Sequence, residues 1–241
     1  MKTLPRRSLR RPGAAALGVY LFAVALASSL AGAGVFSEDA FASSPLRIEA
    51  GRFWLLFTNA LVCAGPRGAS FFALVLFGTV TLYVCGSRIL WTAGALGHVF
   101  ATLCVYSMIA LTRFVDGNAF DNVLSGRDIG VSAICAAWLG AIAAILWRRS
   151  ERTRNGKVAI AGGVLLVGIC AYFVNPKLTA LDSDHAFAFA IGAAVALVPV
   201  RALVKADAVY SFSSSAYGRV RSVLIGAVRT ARARPVPSRR S

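Results

Sequence analysis

The stretch "RDIGVSAICAAWLGAIAAILWRRS", Arg127 to Ser150, decides how the chain is read. It opens on an Arg-Asp pair, closes on two arginines, and carries no charge from Ile129 to Trp147. As a helix this run rises about 28 Å, close to the ~30 Å hydrocarbon core of a bilayer. Its interior is rich in Ala and Gly, residues that let membrane helices approach closely. A spanning helix is expected here, with Ser132 about one turn, or ~6 Å, beyond Asp128.

Five more apolar runs lie to either side: Gly13–Phe36, Ala69–Cys85, Ile89–Leu111, Val158–Val174 and His185–Val204. The chain is 57% hydrophobic and only 15% charged, too little polar surface for an ordinary soluble domain. The expected fold is all-α, a polytopic membrane bundle of six helices. "WLLFTNALVC" (Trp54–Cys63) is too short to span and is expected at the interface, with Trp54 at headgroup depth. The first run follows "MKTLPRRSLRR", and "AFASS" resembles a cleavage site, but the run exceeds the 7–15 residues of a signal h-region. It is read as the first transmembrane helix.

The net charge of +16 sorts by side. With the N-terminus inside, the inner segments hold 20 Lys/Arg and two acids, and the outer ones six Lys/Arg and eight acids. That split predicts N-in, C-in topology and a multi-pass protein of the cell membrane. It assigns the basic residues to topology and anionic headgroups, not to nucleic acid. Residues 1–12 form a basic cytoplasmic N-terminus, 13–204 the membrane domain, and 205–241 a basic cytoplasmic tail. Within the tail, Tyr217, Val220, Leu224 and Val228 recur at helical spacing, as in an amphipathic helix on the membrane surface. The five cysteines lie in apolar segments without metal-ligand spacing, so no metal or cofactor is expected. The loop Thr112–Arg127 carries apolar residues and is expected to fold down over the protein.

Ser132 begins the fourth span from the outer side and His185 opens the sixth, immediately after Asp184. Helix four leads in and helix five returns, so serine and histidine reach similar depth on one face. A serine there is equally suited to packing, and a histidine at a helix start can face water. Together at matched depth they form a candidate dyad. His98 falls near mid-membrane in the third span, where an imidazole must be bonded internally or serve the site. Asp128 is placed to cap helix four; Asp182 and Asp184 are expected as outer-loop carboxylates in water.

"GVSA" (Gly130–Ala133) and "HAFAFAIG" (His185–Gly192) resemble the serine and histidine motifs of rhomboid intramembrane serine proteases. Those have a six-helix core, G-x-S near the outer end of helix four and a histidine near the start of helix six. "FWLLFTNALV" (Phe53–Val62) is similar to their W-R-x-x-T segment. "DIGVS" (Asp128–Ser132) resembles the "DVGVS" of a divergent, actinobacterial-type rhomboid-like group. Ala188 and Gly192, facing Ala137 and Gly140, supply the small stripes that let helices four and six touch. The resemblance spans about Phe53 to Val204. It implies a Ser132–His185 dyad that hydrolyses transmembrane protein substrates without a cofactor. Gly130, Asp128, His98 and Asn59 are candidate supporting residues. The second span lacks the family's H-x-x-x-N oxyanion donors, so Asn59 or a loop backbone group has to substitute, and Ala133 replaces the glycine after the serine. A catalytically inactive rhomboid-like protein that binds transmembrane helices is the alternative. A small transporter or proton-conducting protein using His98, His185 and the outer aspartates is the other class.

Overall fold

Long apolar runs with no water to bond their backbones must satisfy those groups internally, and the chain does so with helices. The computed structural model describes residues 11–63, 67–117, 121–150, 154–174 and 183–198. The nine α-helices among these are α1 (Arg11–Gly32), α2 (Pro45–Glu49), α3 (Leu55–Thr58), α4 (Arg67–Val84), α5 (Ser87–Val115), α6 (Asp121–Leu124), α7 (Ser132–Arg149), α8 (Arg154–Val174) and α9 (Ser183–Leu197). Four of them, α1, α4, α5 and α7, are long and apolar enough to cross a membrane; α9 is apolar but shorter. Asp182, most of the N-terminal basic segment and the amphipathic tail lie outside the described residues. Phe114 is 89% exposed and Tyr83 82%, with Phe22 and Phe72 also outward, a surface suited to lipid and not to water.

The centre of the bundle is the α5–α7–α9 triplet, built from small residues. Ala101, Ala133, Ala137 and Ala188 form one buried cluster, and Ala93, Ala141, Ala144 and Ala196 another. The order of these contacts makes α7 and α9 parallel, with α5 running against both. At the α7–α9 seam a β-carbon on Gly192 would sit 1.9 Å from the Ala137 carbonyl oxygen, and one on Gly140 2.0 Å from that of Phe189. Only glycine permits this approach, and the two small stripes expected to meet do so. Trp138, buried to 1% exposure, fills the slot between α4 and α5 that Gly78 and Gly94 leave open. Its indole Nε1 donates to the Leu90 carbonyl at 2.7 Å.

Two segments outside the long helices fold onto the end of the bundle where α7 begins. Residues 37–63 form a strap, its short α2 started by Pro45 and by the Ser44 hydroxyl, which accepts from Arg47 N. Ile48, Leu55 and Leu56 of the strap pack with Val105, Tyr106 and Ile109 of α5 and with Leu124 of α6. The loop after α5 thus folds down as its apolar residues require, although α5 itself continues to Val115, past Leu111. Trp54 is exposed and Asn59 to Cys63 largely buried, so the short segment there turns inward and does not span. Of the cysteines, Cys63 and Cys135 are buried, Cys85 is half-buried and Cys104 is exposed on α5; the side chain of Cys170 lies outside the described residues.

Candidate functional site

The entry to α7 is set by Gly130, whose φ of +126° is a conformation that L side chains rarely adopt. This turn stops the helix from starting at Ile129. It begins instead at Ser132, which is therefore the first helical residue and not one turn inside. Val131 occupies the N-cap position with no side-chain hydrogen bond, and Cys135 N to Val131 O at 3.0 Å is the first bond within the helix. The amides of Ser132, Ala133 and Ile134 precede that bond, uncapped by any side chain. Asp128 does not cap α7, because its backbone is drawn away into a two-bond bridge with Ser43, at 3.0 and 2.9 Å.

Ser132 is exposed, and among the described residues its hydroxyl makes no hydrogen bond. His185 is in the first turn of α9 with its side chain 38% exposed, and its Nδ1 lies 2.9 Å from Asp184 Oδ1. That approach is a close charge contact more than an aligned hydrogen bond. Asp184 itself is only 5% exposed, so the expectation of a carboxylate in water is corrected: the first turn of α9 rotates it into the bundle. Ser132 and His185 each lie about six residues, or ~9 Å, before the α7–α9 crossing, on parallel helices. They share an end and a level, without a hydrogen bond between them.

The four supporting residues converge in one buried assembly. His98 Nε2 is 2.8 Å from Asn59 Oδ1; the carbonyl oxygen only accepts, so the ring nitrogen donates. Asn59 Nδ2 donates to Ser43 Oγ at 3.0 Å, and Ser43 Oγ donates to Asp128 Oδ2 at 3.3 Å. Tyr106 Oη lies 3.0 Å from the same Ser43 oxygen. The Gly130 amide closes the assembly by donating to the Asn59 carbonyl at 3.2 Å. Every donor along the chain points from His98 toward the Asp128 carboxylate. Asn59 and Ser43 are completely buried, and both ends of the Asn59 amide are engaged in this network.

Burial raises the Asp128 carboxyl from 3.8 to about 6, and the neighbouring Asp184 charge adds to the rise. Hydrogen bonds from Ser43 and Tyr106 and the charge of His185 offset part of it. The assembly thus holds two carboxylates, Asp128 and Asp184, near one histidine at the surface and one in the core.

Ser43 and Tyr106 are the participants that sequence reasoning missed. Ser43 lies in "AFASS", which reads locally as a cleavage-like motif. Tyr106 carried a usable signal: His98, Thr102 and Tyr106 recur at four-residue spacing, a polar stripe on an apolar helix, and all three are buried.

No family model, curated protein or solved structure matches this chain.

Proposed function

We propose that the chain is a rhomboid-like protein of the cell membrane, six-spanning with both termini cytoplasmic, whose Ser132–His185 pair hydrolyses peptide bonds in transmembrane substrates. The observation that carries this reading is the placement of an exposed serine and a half-exposed histidine at one level of parallel, interlocked helices. His185 would take the Ser132 proton as Oγ bonds to the substrate carbonyl carbon, then return it to the departing amine. Water, deprotonated by the same ring, would release the acyl group and restore the serine. The uncapped amides at the start of α7 are the available donors for the oxyanion. α8 and α9 would serve as the fifth and sixth spans, and the basic tail would rest on anionic headgroups.

A non-catalytic rhomboid-like protein that binds transmembrane helices is supported by the absence of a Ser132 hydrogen bond and by the burial of Asn59. Co-reconstitution with single-span test proteins separates the two. The hydrolase releases fragments that Ser132→Ala does not, whereas a helix-binding protein co-purifies with intact partners in both forms.

A further inference from the structure

An acid in the first turn of a helix ordinarily faces water, where it complements the helix dipole at little cost. Asp184 departs from this, being buried at 5% exposure while the histidine next to it is half open to its surroundings. Removing a carboxylate from solvent is costly unless a partner takes its charge. The group that meets this charge is the His185 ring, whose Nδ1 stands 2.9 Å from Oδ1 as a charge contact without an aligned hydrogen bond. The backbone of α9 is held in place by the Gly192 and Gly140 contacts with α7, so the acid is carried on a fixed element.

We propose that Asp184 is a positioning residue, completing a Ser132–His185–Asp184 arrangement in which its buried carboxylate holds the Nδ1 edge of His185. This rests on the hydrolase reading of Ser132 and His185, and adds a third member to it. A carboxylate at Nδ1 favours the tautomer protonated there, which leaves the Nε2 lone pair as the base. It also stabilises the imidazolium formed when that base takes the serine proton. Neither effect requires Asp184 to touch substrate.

The chain contains two histidines, so the 15N spectrum of histidine-labelled full-length protein in nanodiscs holds two rings, and His185→Gln identifies which is which. Neutral His185 is expected chiefly as the Nδ1–H tautomer, and Asp184→Asn is expected to shift the balance to Nε2–H. Phosphonate labelling of Ser132 should fall at least a hundredfold in Asp184→Asn. A wild-type ring already in the Nε2–H form overturns the proposal, and needs no variant to fold. An unchanged tautomer in a folded Asp184→Asn also overturns it. The expected tautomers with no labelling even of wild type uphold the positioning of His185 and remove the hydrolase reading beneath it.

Discussion

Gly192→Ala attacks the seam that sets Ser132 and His185 at one level. The added methyl group would stand 1.9 Å from the Ala137 carbonyl oxygen, 2.6 Å from its carbon and 2.8 Å from its Cα. All three are backbone atoms, so no rotamer change relieves the contact. Ordinary van der Waals separation requires the helices to part by roughly 1.5 Å, and a gap of even 0.5–1 Å forfeits a quarter to a half of the dispersion at each contact. The expected loss is about 3 kcal/mol, the upper part of the range for overpacked cores. For a chain of this size that lowers Tm by roughly 6–12 °C. Thermal unfolding in detergent, followed by tryptophan fluorescence, measures it. Gly162→Ala and Gly163→Ala are the controls, since nothing lies within 4 Å of a β-carbon at either. Both should be neutral or gain up to about 1 kcal/mol from helix propensity. A Gly192→Ala protein as stable as these controls would refute the close approach of α7 and α9.

Asn59→Ala leaves the buried His98 Nε2–H without its acceptor and removes one of the donors to Ser43, and should cost about 2–3 kcal/mol in the same melt; His98→Ala should lower Tm while leaving Ser132 chemistry intact. The Asp128 carboxyl sits at about 6 when folded against 3.8 unperturbed, so the folded state binds more protons between those values. Stability should therefore fall as pH rises from about 4 to 6, by up to about 3 kcal/mol. Asp128→Asn, which keeps an acceptor for Ser43, should flatten that part of the pH–stability curve. Reporters fused after Ser241 or inserted between Arg148 and Lys157 should read cytoplasmic, and one near Asn118 external; an external C-terminus would refute the assigned orientation.

The helices at the centre of the bundle are legible because apolar length and small-residue spacing are local properties. Ala137, Gly140, Ala188 and Gly192 announce a close seam in the sequence, and the glycine contacts bear it out. The apolar run begins at Ile129 but α7 begins three residues later, because the turn at Gly130 is tied to the strap through the Asn59 carbonyl. The same distance effect hides Ser43. Its partners Asp128 and Tyr106 are 85 and 63 residues away, and no periodicity encodes a contact of that separation. The burial of Asp184 is not legible in the sequence, because a single residue at a helix start carries no sign of which way it faces; only the packing of α9 decides that.

The central claim is that Ser132 is a nucleophile and not only a small residue at the start of a packed helix. A fluorophosphonate probe applied to the protein in nanodiscs, with the adduct mapped by mass spectrometry, tests it most directly. The account predicts one adduct, on Ser132, abolished in Ser132→Ala and reduced sharply in His185→Ala, because an unassisted serine stays protonated and inert. The α7–α9 seam does not involve the Ser132 hydroxyl, so Ser132→Ala should melt as the wild type does. Equal labelling of wild type and Ser132→Ala, or no adduct on Ser132 with probes that modify a control serine hydrolase in the same nanodiscs, would contradict it.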